Sequence, residues 1–204
     1  MKRQRTAVFI SGRGSNLEAL LFAARQVDYP ASIELVLSDR PHAPGLQRAW
    51  GANIPAYVVN KKDQSNHACF EEMLEHYLNV YSIDLICLAG FMSILSSDFT
   101  KRWFGRALNI HPSLLPEFPG LNTHVRALQS GVSYHGCSVH FVTHKVDAGP
   151  IILQRKIPIL PGDTSESLGV RVLAEEHKAY PEALASLASA WQKINTYAHS
   201  MPKK

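Results

Sequence analysis

Much that would mark a particular class of protein is missing from these 204 residues. Only three cysteines occur, Cys69, Cys87 and Cys137, and none has C-x-x-C spacing. Neither a disulfide framework nor a paired-thiolate zinc site is therefore expected. Cys87 sits inside an apolar run and reads as a small core residue of a reducing compartment. No apolar stretch approaches the ~20 residues that span a bilayer. After Met1–Arg5, the apolar run Ala7–Ile10 gives way at once to Ser11-Gly12-Arg13-Gly14, too short for the core of a signal peptide. These absences predict a soluble, cytoplasmic protein with no membrane association. Charge of one sign is scarce as well. Charged residues make up 19% and the net charge is +4, five of the positive charges being Lys2, Arg3, Arg5, Lys203 and Lys204 at the two ends. With no basic stripe interleaved with aromatics, nucleic acid is not an expected partner, whereas an anionic small molecule is.

What is present is 46% hydrophobic, enough for one good core. Short apolar runs at Thr6–Ser11, Ser32–Ser38, Ile54–Val59, Asp84–Ala89 and Ala107–His111 read as strands. Between them lie helical patterns at 17–24, 44–51 and 64–80, the last with Phe70, Met73, Leu74, Tyr77 and Leu78 on one stripe. That alternation predicts a doubly wound, mostly parallel sheet. The pattern then changes to a helix at 122–130 closed by Gly131. Strands at Cys137–Thr143 and Ile151–Ile159 follow, joined as an antiparallel hairpin. A long final helix over 163–190 has Thr164 or Ser165 as its cap and a kink at Pro181. The expectation is one α/β domain over 1–204, with 1–111 the phosphate-binding half.

The chain is organised around Asn109-Ile110-His111-Pro112, where a strand ends and a proline-rich loop begins. Asn109 and His111 are two apart and face the same side, at the carboxyl end of a strand where open α/β sheets bind ligands. Gly12-x-Gly14-Ser15-Asn16 lies between the first strand and helix, a setting that collects a phosphate. The third glycine of a dinucleotide fingerprint is replaced by Leu17, leaving Asp39 as the only support for a nicotinamide reading. Alternatively, Ser15 and Glu18 form a capping box and the glycines merely make the turn. His135, Cys137, His140, His144 and Asp147 invite zinc, but Cys137 and His140 are an odd number apart on one strand and face opposite sides, and H-E-x-x-H is absent. No metal is expected. Nor is a serine hydrolase, since G-x-S-x-G is absent. Asp147 sits in a tight Asp-Ala-Gly-Pro loop, either as a turn residue or as a carboxylate orienting a histidine.

Together these segments resemble the folate-dependent phosphoribosylglycinamide formyltransferase family, within the wider formyltransferases. The resemblance runs from Ile10–Asn16 through Leu88-Ala89-Gly90-Phe91-Met92, Asn109–Pro116 and Ser138–Val142 to Glu176-His177-x-x-Tyr180-Pro181. It implies a Rossmann-like fold and formyl transfer from 10-formyltetrahydrofolate to the amine of phosphoribosylglycinamide, with no metal. Relatives such as methionyl-tRNA formyltransferase carry a further domain, for which this chain has no room. By the resemblance, Asn109 and protonated His111 stabilise charge on the formyl oxygen, worth ~3 kcal/mol per donor, while Asp147 orients His111 and assists proton transfer. Gly14, Ser15 and Asn16 hold the phosphate, and Glu176 the ribose. Met92, Ser93, Ile94 and Leu95 face Thr143, His144 and Val146 across the folate pocket. The chain departs from the family where arginine is common at Ser93 and near His67, and where Asp-Gly-Gly is common at Asp147-Ala148-Gly149. A deformylase, a non-catalytic binding module and a nicotinamide-dependent reductase stay open as alternatives, and either a monomer or a homodimer is compatible.

Overall fold

Continuous apolar runs become strands covered on both faces. The computed structural model describes residues 3–200, with side chains through residue 193; Lys2, Lys203 and Lys204 lie outside the described residues. The elements are β1 (Gln4–Ile10), α1 (Ser15–Ala24), β2 (Ala31–Ser38), α2 (Gly45–Gly51), β3 (Ala56–Val58), a 3-10 turn (Lys61–Asp63) and α3 (His67–Val80). There follow β4 (Leu85–Leu88), α4 (Ser97–Arg102), β5 (Ala107–His111), α5 (Thr123–Ser130), β6 (Tyr134–Phe141), β7 (Ile151–Pro158) and α6 (Ser165–Ser200). The sheet order is β3-β2-β1-β4-β5-β6-β7. Strands β1 to β5 are parallel, while β6 and β7 are antiparallel additions beside β5. The winding reverses between β1 and β4, so a crevice opens at their carboxyl ends.

Two cores cover the sheet. One, under α1, α2 and α6, includes Val8, Ile10, Leu17, Leu108, Cys137, Val139 and Tyr180. The other, under α3 and α4, includes Phe9, Leu35, Phe70, Leu74, Phe99 and Trp103. Each such side chain taken fully out of water contributes about 2 kcal/mol. Tyr180 ties α6 to the sheet, its hydroxyl lying 2.9 Å from the Leu88 carbonyl and 3.1 Å from that of Leu108.

Local chemistry moves several boundaries. The capping box does not form. Gly14, at φ +73°, is itself the N-cap of α1 and Ser15 is already helical, with no side-chain cap bond, while Glu18 pairs with Arg48. Helix α3 begins at His67 because the Asn66 side chain accepts the Cys69 N–H at 2.9 Å. Helix α4, six residues long and too short to show a period, starts where Ser96 Oγ accepts the Phe99 N–H at 3.1 Å. At the start of α6, Thr164 is the cap: its Oγ1 accepts the Ser167 N–H at 3.2 Å and the Ser167 Oγ accepts the Thr164 N–H at 3.0 Å. The helix continues through Pro181. Gly131 closes α5 in the left-handed region, as expected.

Candidate active site

The end of β5 delivers Asn109 and His111 to one side of the sheet. Their neighbours Leu108 and Ile110 point to the other side, into the core under α6. Antiparallel pairing places His140 opposite Asn109 and Ser138 opposite His111, so four polar side chains share one face. The proline-rich loop after β5 is held down by two of the strands that follow. Ser138 Oγ accepts the Leu115 N–H at 3.0 Å and donates to the Ser113 carbonyl at 2.6 Å. Gln154 on β7 donates to the Leu115 carbonyl at 2.9 Å.

Asp147 arrives from the β6–β7 connection with a left-handed backbone, φ +51°. The connection is tight because the Phe141 N–H bonds the Pro150 carbonyl at 2.9 Å. A Cβ on Gly149 would stand 1.8 Å from the Phe141 carbonyl oxygen, so only glycine fits there. Asp147 Oδ2 lies 3.3 Å from His111 Nδ1 and accepts the Gly120 N–H at 2.9 Å. Its Oδ1 lies 3.6 Å from His140 Nε2. Burial acts to raise the Asp147 carboxyl, but the neighbouring His140 ring, the Gly120 N–H and the charge of His111 outweigh it and hold the group below the usual carboxylate range.

Each histidine has two occupied nitrogens. His111 Nε2 lies 3.0 Å from the Phe118 carbonyl, an acceptor, so both of its ring nitrogens face oxygens and the doubly protonated ring satisfies both. His140 Nδ1 lies 2.9 Å from the Phe141 carbonyl and its Nε2 lies 3.1 Å from Asn109 Nδ2. With its proton on Nδ1, His140 accepts from the Asn109 amide and fixes the direction of the remaining amide N–H. His140, which the sequence reading weighed only as a zinc ligand, lines the same cavity beside Asn109. Alternation along β6 puts it on the polar face, but only the register against β5 shows that it meets Asn109.

These groups line a cavity of about 860 Å³ that also reaches Asn16 and Glu176. Asn16 Nδ2 donates to Glu176 Oε2 at 2.7 Å. Burial raises the Glu176 carboxyl, with the Asn16 bond acting the other way. Gly14 and Ser15 precede Asn16 at that end without lining the cavity themselves. Gly45 packs against the loop so closely that a Cβ on Gly14 would fall 2.7 Å from the Gly45 Cα. Met92, Ser93, Ile94 and Leu95 line the same cavity, as do Thr143, His144 and Val146. The 92–96 stretch is tied down at three points. The Met92 N–H bonds Ser11 Oγ at 2.7 Å, Ser93 Oγ bonds Asp39 Oδ2 at 2.8 Å, and Ser96 donates to both Glu71 oxygens at 2.5 Å. Asp39 therefore anchors a loop and does not line the cavity, which removes the one feature behind the nicotinamide reading. Met92, Ile94, Leu121 and Val146 are exposed around the mouth, an apolar rim suited to a flat heterocycle. His67 lies outside the cavity, 3.2 Å from Glu71. Among the described residues no group of three or more His, Cys, Asp or Glu could hold a metal ion. Nor is any helix among them long and apolar enough to cross a membrane.

Comparison with known proteins decides the family. Residues 4–184 match the family model described as formyl transferase. The chain belongs to the formyl transferase family. Among solved members, the phosphoribosylglycinamide formyltransferase of Brucella melitensis shares 49% identity at a TM-score of 0.89, over 92% of this chain and 96% of that one. The phosphoribosylglycinamide formyltransferase of Haemophilus influenzae is 45% identical over 178 residues, 87% of this chain and 84% of its own length. The trifunctional purine biosynthetic protein adenosine-3 of Homo sapiens is 48% identical over 188 residues, which is 92% of this chain but 19% of that protein. The chain thus spans between 14% and 19% of the length of the trifunctional relatives it matches.

Proposed function

We propose that this formyl transferase moves the formyl group of 10-formyltetrahydrofolate to the amine of 5′-phosphoribosylglycinamide, in purine biosynthesis. The observation that carries the reading is the meeting of Asn109, His111 and Asp147 on the wall of a cavity that continues to Asn16 and Glu176. The amine attacks the formyl carbon directly, with no covalent enzyme intermediate, and negative charge builds on the formyl oxygen. The free N–H of the Asn109 amide and the His111 ring N–H receive that charge. The contact between His111 Nδ1 and Asp147 is long, 3.3 Å, so this N–H can be shared with the reacting oxygen while Nε2 stays on the Phe118 carbonyl. Asp147 keeps His111 charged and, through water, takes part in removing the proton from the amine. The bond from the formyl carbon to the folate nitrogen then breaks and releases tetrahydrofolate.

Phosphate binding at Gly14, Ser15 and Asn16 is supported by the missing cap on α1, which leaves the first N–H groups of the helix without a side-chain acceptor. Glu176, fixed by Asn16, accepts from the ribose hydroxyls. Main-chain groups of Met92–Leu95 and the facing Thr143, His144 and Val146 hold the pterin. The chain works as a single domain in the cytoplasm, with 1–111 holding the phosphate and 112–204 completing the folate site.

The test is absorbance-monitored turnover of 10-formyltetrahydrofolate with and without phosphoribosylglycinamide. Tetrahydrofolate release that requires the ribonucleotide is expected. Formate release without it would reassign the chain as a deformylase, and silence in both arms would leave a binding module.

A further inference from the structure

The segment 118–121 touches both members of the His111–Asp147 pair through its main chain. The Phe118 carbonyl faces His111 Nε2 at 3.0 Å and the Gly120 N–H donates to Asp147 at 2.9 Å. This backbone is not relaxed. Phe118 (φ +53°), Gly120 (φ +78°) and Asn122 (φ +56°) are all left-handed. A bulky residue such as phenylalanine occupies that region only where the surroundings hold it there.

The hold comes from α5. Arg126 lies in the first turn of that helix, its own N–H bonding the Asn122 carbonyl at 3.0 Å. From there Nη1 reaches back and donates to the Pro119 carbonyl at 2.5 Å and the Leu121 carbonyl at 3.4 Å. The guanidinium carbon stands 5.7 Å from the centre of the Phe118 ring, which also meets His135 edge to face, 5.9 Å away. A cation in the first turn opposes the helix dipole. The two carbonyls and the ring account for its presence.

We infer that Arg126 is a positioning residue for formyl transfer: it clamps Phe118–Leu121 so that one carbonyl and one N–H of that segment hold His111 and Asp147 in register. The inference rests on the function proposed above. Lysine can donate to a carbonyl but, as a compact and strongly hydrated point charge, lacks the planar face that lies over the Phe118 ring.

The experiment compares Arg126→Ala and Arg126→Lys with the unmodified chain by steady-state kinetics on both substrates, thermal melting, and hydrogen exchange of the 116–122 backbone without substrates. Arg126→Ala should lower kcat about tenfold, the effect of a modest misplacement of reacting groups, with KM for the ribonucleotide within about twofold and the melting temperature nearly unchanged. Exchange should quicken at the Phe118, Gly120 and Leu121 amides alone, and Arg126→Lys should recover part of kcat. Unchanged kcat and exchange in Arg126→Ala would overturn the inference, as would a general loss of stability with kcat and KM falling together. If the unmodified chain itself shows no turnover, the functional reading fails instead, and the exchange arm still decides whether Arg126 holds the segment.

Discussion

Replacing Asp147 by asparagine separates charge from shape at the centre of the site. Two unit charges 3.3 Å apart attract by about 5 kcal/mol at an effective dielectric constant near 20. Much of that attraction exists before the reaction starts, so only the part that grows with charge on the formyl oxygen affects the rate. One charge-stabilising donor of this kind is typically worth about 3 kcal/mol, or roughly a hundredfold in kcat. The expected fall is therefore about 10²- to 10³-fold. Structure should survive the change. Asparagine is among the residues most tolerant of the left-handed backbone at φ +51°, and its amide oxygen can still accept the Gly120 N–H. The assay is kcat with both substrates saturating, beside thermal melting and direct binding of the ribonucleotide. A folded variant that turns over within about threefold of the unmodified chain would refute the assignment and leave Asp147 as a loop residue.

Two further outcomes follow from buried ionisable groups. Burial raises the Glu176 carboxyl, so the native state binds extra protons above the ordinary carboxylate range and loses stability as pH rises through that window. Glu176→Gln should accordingly melt higher near neutral pH while KM for the ribonucleotide rises several-fold; a lower melting temperature with unchanged KM would contradict both parts. His135, buried with Nε2 3.1 Å from His124 Nδ1, is lowered from 6.5 to about 4, by burial first and then by His124 and His111. Its contribution is fully present above 6.5 and is lost as pH falls toward 4, by up to about 3 kcal/mol. Denaturant midpoints at about pH 7.5 and about pH 5 should show this slope, and His135→Gln should flatten it; an equal slope in the variant would place the acid sensitivity elsewhere.

The parallel half of the sheet is legible in the residues themselves, because β1, β2, β4 and β5 are largely buried and their apolar runs need no partner to be recognised, while the short edge strand β3 stays half-exposed. That Asn109 and His111 share a side is equally legible, since alternation along a strand is a local property. The loop glycines belong here too: Gly149 touches the Phe141 carbonyl, and a tight Asp-Ala-Gly-Pro connection announces such an approach. How the two halves meet depends instead on contacts between segments far apart in the chain. The register of β6 against β5 sets His140 beside Asn109. Glu18 left its apparent capping box because Arg48, thirty residues away, offered a charge. Ser93 turned inward to Asp39, and Arg126 reached back to the 118–121 carbonyls. Each of these is a contact between side chains or carbonyls brought together by packing. Local periodicity encodes which face a residue takes, while the identity of the group waiting on that face is settled only when distant segments come within a few ångströms of one another.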